Sequence, residues 1–424
     1  MSAAVTLSLA LFYLVMSMKK ALEHLRVLDL SRIFAGPWAT QNLADLGAHV
    51  IKVERPGRGD DTRAWGPPFL KDAQGNETRD SSYFMSVNRG KESITVDIST
   101  PEGQNIIREI AKTVDVVVEN YKVGTLKRYG LDYESLRALN ERLVYCSITG
   151  FGQTGPYADL PGYDFVFQGM GGLMSLTGKP DTEPGGGPMK FGLAISDLTT
   201  GMYATTAILA AIEHRHISGQ GQYIDMSLLD SSVALTSYMS MNYFLSGNVP
   251  QRMGNVHTNI VPYQVFRCKE GDIILAVGND TQFADLCRAI GMPELATDER
   301  FSKSFNRVRN REALIAILEQ PMKQHTMLEW VEIFEKNNVP SGPIYQLDQV
   351  FEDAQVKHRN MKLSLPHEAG VNVPTVASPI RLSDTPVKLE KSAPVLGSHT
   401  ETLLKTELGL SDDQIAALRT KGII

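Results

Sequence analysis

Short apolar runs rich in valine, isoleucine and leucine recur through the first half of the chain, alternating with stretches of helical spacing. This alternation limits the fold more than any other feature. The runs are Arg26–Ser31, His49–Glu54, Ser93–Ile98, Val114–Glu119 and Leu143–Ile148. Between them, Pro37 to Leu46 has helical spacing with Pro37 suited to a first turn. Thr100-Pro101-Glu102 reads as a helix start, with Thr100 as cap. Strand and helix alternating at this interval imply an α/β protein with a parallel, Rossmann-like sheet.

A glycine- and proline-rich stretch, 178–192, ends this half. A strong helix rich in Ala, Leu, Ile and Met follows from about Leu198 to His216, and Tyr223–Ser227 reads as another strand. From roughly residue 230 to 340 the pattern changes to long helices with one clear strand, Asp272–Val277, which implies a second, smaller α+β domain. The C-terminal segment reads as strand-poor and closes on a helix signal at Ser411. The expected division is 22–225 with 340–424 for the large domain and 226–339 for the small domain and its linkers. Residues 1–21 stand apart. Ala3 to Met16 is almost wholly apolar, but its lysines follow the run instead of preceding it, unlike a secretory signal. Translation starting at Met16 or Met18 is the preferred reading, and a vestigial targeting segment the alternative.

The 424 residues carry 42 basic and 48 acidic side chains, a net charge of −6, which argues against a nucleic-acid binder. The three cysteines, Cys146, Cys268 and Cys287, are far apart and form no CxxC pair. They imply neither a disulfide framework nor a zinc site, but buried thiols in a reducing compartment: the cytoplasm, or the mitochondrion in a eukaryote. His214 and His216, two apart, do not share a helical face, and no metal role is assigned. Ser31 to Gly36 reads S-R-I-F-A-G, so the first strand is not followed by G-x-G-x-x-G. Trp38 and Trp65 read as packing residues.

Three groups of residues could carry chemistry. Asp197 stands immediately before the apolar helix, after the glycine-rich stretch and one turn before Gly201. It reads as an ordinary N-cap worth on the order of 1 kcal/mol. It also reads as a carboxylate kept ionised by the helix dipole, able to attack a thioester carbonyl while nearby amides hold the oxyanion. Asp164, after the turn-rich segment 150–156, reads as a loop acid in a site or as a helix cap. Arg32 and Arg55 follow the first two strands, and Arg128 comes after Asn120-Tyr121 at the end of the fourth. At one sheet edge their planar, two-pronged donors suit a polyphosphate, although each alone reads as a surface charge.

From Leu22 to Ile424 the chain resembles the family III CoA-transferases, the group of formyl-CoA transferase and carnitine CoA-transferase. The motifs that carry the resemblance are V-L-D-L-S-R-I-F-A-G-P (27–37), D-L-G-A-H-V-I-K-V-E-R-P (45–56), V-E-N-Y (118–121), S-I-T-G-F-G-Q-T-G-P (147–156) and the block from Gly192 through R-H-I-S-G-Q-G-Q (215–222). Within the family it is most similar to the succinate–hydroxymethylglutarate (glutarate) CoA-transferase branch. G-D-D-T-R-A-W-G-P-P-F (59–69), N-I-V-P-Y-Q-V-F (259–266) and V-P-S-G-P-I (339–344) carry that likeness.

The resemblance implies that Asp197 is the nucleophile and that Asp164 assists it. It also implies that Arg32, Ile33, Arg55, Asn120, Tyr121 and Arg128 hold the adenosine–diphosphate end of coenzyme A. No cofactor is implied beyond coenzyme A as acyl-CoA substrate, and no metal. An interlocked homodimer is implied, with an acyl-CoA and a carboxylic acid as partners and neither nucleic acid nor membrane. Phe34 replaces a glutamine of formyl-CoA transferase that touches a very small acyl group, which argues against formyl or oxalyl substrates. The glycine-rich loop that covers the intermediate in that enzyme is not recognisable after residue 245. An acyl-CoA racemase is the nearest alternative, but racemases pair the aspartate with a histidine in a Gly-His-Asp segment. Here the segment is Gly162-Tyr163-Asp164, and a phenol is a poor base near neutrality. A non-catalytic CoA-binding protein, with Asp197 as a cap only, is the alternative from another class.

Overall fold

A computed structural model describes residues 20–424. The apolar run Ala3–Met16, and the start-site reading placed on it, lie outside the described residues.

The described chain divides into two compact units. The first comprises residues up to Leu173, Phe191–Tyr238 and Lys357–Ile424. Its centre is a six-stranded sheet of β1 (Arg26–Asp29), β2 (His49–Glu54), β3 (Glu92–Thr95), β4 (Val116–Glu119), β5 (Val144–Thr149) and β6 (Tyr223–Ser227). The order is β3-β2-β1-β4-β5-β6 and every pairing is parallel, as the alternation of strand and helix implies.

Successive side chains of each strand serve opposite faces. Val27, Val50, Val116 and Val144 pack against helices α1 (Ala35–Asp45) and α6 (Ile195–Ser218), through Leu43, Ala204, Ile208 and Ala211. Leu28, Ile51, Val117 and Tyr145 pack on the other face against α3 (Pro101–Ala111) and the helices Thr400–Leu408 and Asp412–Thr420. Burial on both faces explains why these strands read as unbroken apolar runs. Each such side chain is worth roughly 1.5–3 kcal/mol when buried. Thr100 caps α3 by accepting from the Gly103 N–H, with Pro101 in the first turn as expected. Ser411 caps the last helix by accepting from the Gln414 N–H.

Two parts of the sequence reading are corrected. The C-terminal segment is not strand-poor: Lys362–His367 and Val371–Val376 form an antiparallel hairpin. Its strands carry prolines and polar residues, which hid it. The second unit, Met174–Lys190 with Met239–Val356, holds three strands where one was read. Tyr263–Arg267, Asp272–Ala276 and Ser341–Pro343 form a small antiparallel sheet. Ser341–Pro343 has only three residues, and Tyr263–Arg267 alternates too weakly to stand out. The three cysteines are buried and unpaired. No helix of the described residues is long and apolar enough to cross a membrane.

Candidate active site

The first unit reverses its strand order between β1 and β4, because β2 and β3 extend from one side of β1 and β4 to β6 from the other. In open parallel sheets, ligands settle outside the carboxyl ends of the strands at such a point. A cavity of about 250 Å³ lies there. Arg32, Arg55 and Arg58 line it, with Tyr121 as a wall. Arg58 was not singled out from the sequence, although the expected Arg55 is three residues before it. The Arg32 guanidinium lies 5.1 Å from the centre of the Tyr121 ring. Arg32 and Arg58 share one acid, Asp61, at 3.1 and 2.9 Å, and no acid among the described residues pairs with Arg55. Two further acids on the cavity floor are already neutralised. Glu54 is paired with buried Arg63 at 2.7 Å, and Asp60 with buried Lys52 at 2.9 Å.

The other expected CoA residues separate into distinct roles. Arg128 lies in α4 (Thr125–Tyr129), exposed and outside the cavity lining. Asn120 uses its amide on the backbone of Arg32: Oδ1 accepts from the Arg32 N–H at 2.8 Å and Nδ2 donates to the Arg32 carbonyl at 2.6 Å. The loop around it is anchored by Glu119. That carboxyl accepts from the Ser147 hydroxyl and the Tyr121 N–H, and burial pushes it up to about 7.

Asp197 and Asp164 come together, although 33 residues separate them. The long helix begins at Ile195, so Asp197 lies within its first turn and Ala194 takes the cap position without a side-chain bond. The cap is supplied by Asp164, at the start of α5 (Asp164–Met170). One of its oxygens accepts from the Ser196 N–H at 2.7 Å and the Asp197 N–H at 3.4 Å. The other accepts from Gln168 Nε2 at 2.6 Å. Buried Gln168 also donates to the Leu193 carbonyl and accepts from the Phe191 N–H, tying down the segment that leads into the helix. Asp164 therefore does the capping that the sequence assigned to Asp197. No donor among the described residues bonds the Asp197 carboxylate.

This changes the expected electrostatics. Burial, reinforced by the neighbouring Asp164 carboxylate, pushes Asp197 up to about 7. The helix dipole was expected to keep it ionised, and desolvation outweighs it. The first helical amides are also engaged. Those of Ser196 and Asp197 bond Asp164, and those of Ile195 and Leu198 bond the Leu193 and Ala194 carbonyls. They do not form the oxyanion site expected of them.

An aromatic wall stands at the same place. The phenol of Tyr83, in α2 (Ser82–Val87), is pushed up to about 12 by burial and by the charges of Asp197 and Asp164. Its ring meets those of Phe34 and Trp65 edge-on, each at 5.2 Å. Trp65, read as packing, is 40% exposed in this wall. Trp38 does pack. A Cβ on Gly201 would stand 2.6 Å from the Ala35 carbonyl and 2.8 Å from the Trp38 ring, so glycine lets α6 lie against the start of α1. Tyr83, Gln168 and Arg58 had no signal in the sequence beyond residue type. Spatial neighbours far apart in the chain define their roles.

A carboxyl whose proton is lost near neutrality, beside the Tyr83 phenol and on the same unit as an arginine-rimmed cavity, suits covalent chemistry on a phosphorylated carrier. Comparison with known proteins agrees. The model for CoA-transferase family III matches residues 22–400. A succinate–glutarate CoA-transferase of Agrobacterium fabrum is 48% identical over 386 residues, 91% of this chain and 95% of the relative. The succinyl-CoA:glutarate CoA-transferase of Mus musculus is 42% identical over 405 residues, 96% of this chain and 90% of the relative. The crystal structure of a CAIB/BAIF family protein from Brucella suis matches with a TM-score of 0.80 at 47% identity, covering 92% of this chain and 100% of that one. The matched range includes the strand-end loops and the helical turn that carries Asp197, and this chain belongs to CoA-transferase family III.

Proposed function

We propose that this protein moves coenzyme A from succinyl-CoA, or a similar dicarboxylyl-CoA, to a second dicarboxylic acid such as glutarate. The observation that carries the reading is the placement of Asp197: half-buried, unbonded at its carboxylate among the described residues, and raised to about 7. Ionised, it attacks the thioester carbonyl. The C–S bond breaks, giving an acyl-aspartyl anhydride and CoA thiolate. The thiolate attacks the aspartyl carbonyl, forming an Asp197–CoA thioester and releasing the donor carboxylate. The acceptor carboxylate attacks that thioester, expelling thiolate and forming a second anhydride. The thiolate then attacks the acceptor's acyl carbon, which frees Asp197. No proton is gained or lost over the cycle.

Each covalent state of Asp197 is uncharged, so forming it removes the burial and repulsion penalties of the free carboxylate. With the first helical amides engaged, the protonated Tyr83 phenol is a donor beside the two acids that can serve an oxyanion. The cavity with Arg32, Arg55 and Arg58 is the place for the phosphates of coenzyme A. Relatives named for succinate and glutarate support the choice of dicarboxylates.

The working form is a homodimer, interlocked as the family resemblance implies. Exposed apolar side chains on α5 and α6, among them Phe165, Met202 and Ile217, support a second copy as partner. Buried free thiols support a reducing compartment, cytoplasmic or mitochondrial. The test is an assay of CoA transfer from succinyl-CoA to a panel of dicarboxylates, with epimerisation of a 2-methylacyl-CoA as control. Transfer to glutarate without epimerisation is the result expected. Epimerisation without transfer would make the protein a racemase.

A further inference from the structure

The segment from Ser31 to Phe34 joins the two parts of the site, since Arg32 lines the cavity and Phe34 belongs to the aromatic wall. Its backbone takes an unfavourable course. Ile33 has a φ of 72°, in the left-handed region that a β-branched residue avoids. Side chains from elsewhere hold its backbone polar groups. The Ser31 N–H donates to Asp29 at 3.0 Å, and the Ser31 carbonyl accepts from Lys52 at 3.0 Å. Asn120 grips Arg32 at both its N–H and its carbonyl. The Ile33 N–H donates to both oxygens of Asp60, at 3.2 and 3.3 Å. The chain then folds back closely, for a Cβ on Gly36 would stand 2.3 Å from the Ser31 Cβ.

Asp60 is the hub of this arrangement. It is buried, takes the Lys52 ammonium at 2.9 Å, and accepts from the Thr62 N–H at 3.0 Å and the Thr62 hydroxyl at 2.8 Å. Its own N–H donates to Glu54, the last residue of β2, at 2.9 Å. A strained residue persists only where its surroundings over-determine it, and here they do so from the sheet itself.

We propose that Asp60, paired with Lys52, is a positioning residue for acyl-CoA. It holds Ile33 in the left-handed conformation and so sets Arg32 against the cavity and Phe34 against the aromatic wall. The proposal rests on reading the cavity as the CoA site. Glycine adopts that conformation without strain and needs no such hold, so the two positions are coupled.

The test is the affinity of the full-length protein for free CoA by titration calorimetry, with KM and kcat for succinyl-CoA, in a cycle of Asp60→Asn and Ile33→Gly. Asp60→Asn is expected to weaken CoA binding by about tenfold, seen in KM more than in kcat. When Ile33→Gly is already present, the same change is expected to cost no more than about twofold. A folded Asp60→Asn protein with unchanged affinity would overturn the proposal, as would an equal loss in both backgrounds. If Asp60→Asn alone does not fold, Lys52→Met with Asp60→Asn leaves no orphan charge and carries the same comparison at residue 33. Arg55→Ala tests the parent reading separately. If it leaves CoA affinity unchanged, the cavity is not the CoA site and the proposal falls with it. If it weakens CoA binding and residues 33 and 60 prove uncoupled, the positioning role alone is lost.

Discussion

The cavity at the strand ends and the surroundings of Asp197 solve opposite electrostatic problems within one unit. At the cavity, arginines stay in contact with water, and the acids beneath them are neutralised by buried Arg63 and Lys52. Charge is kept solvated and available, which suits reversible capture of phosphate. At Asp197 the carboxylate has no cation partner among the described residues. It is largely desolvated, set against a second acid, and neighboured by the Tyr83 phenol. Charge is made costly there, which suits a group that must become covalently bound and uncharged. One region binds through guanidinium groups left accessible, and the other reacts because ionisation is disfavoured.

The largest effect should come from breaking the second region. Asp197→Ala is expected to lower kcat by about 10⁴-fold or more while CoA binding persists, as measured by turnover and by titration with free CoA. Breaking the first region should do the reverse. Arg55→Ala is expected to raise KM for succinyl-CoA by roughly 10- to 100-fold with kcat little changed.

The acid limb of kcat/KM tests the contrast next. Asp197 must be ionised to attack and titrates at about 7, so the free enzyme should lose about tenfold per pH unit below that point and level off above it. Asp164→Asn removes a like charge, so the limb should move to lower pH. A limb unchanged by that substitution would mean that the two acids do not interact. The smallest effect concerns Asp61, which shares Arg32 and Arg58 and competes with a bound phosphate. Asp61→Asn is expected to lower KM for succinyl-CoA by about two- to fivefold in dilute buffer, with the gain fading as salt is added.

The sequence disclosed these two regions unequally. Strand-end arginines are legible because the βαβ alternation fixes which loops share a sheet edge, and Arg32 and Arg55 do meet there. Arg128 does not join them, because the short helix after β4 turns it away from the cavity. The position of Asp197 at the start of a long apolar helix is legible too. Its environment is not, because the cap comes from Asp164 and the aromatic wall from Phe34, Trp65 and Tyr83. Nothing in the sequence pairs Lys52 with Asp60, yet both are fully buried as a pair. Local periodicity reports which face of an element is apolar. It cannot report which distant side chain neutralises a charge or completes a helix end.

The central claim is that Asp197 carries the acyl group and then coenzyme A. Turnover of succinyl-CoA in the presence of hydroxylamine, followed by peptide mass spectrometry, tests it directly. The account predicts a hydroxamate on the peptide containing Asp197, and none when succinyl-CoA is omitted. Sustained turnover with Asp197 unmodified, or a hydroxamate on a different acid, would contradict it.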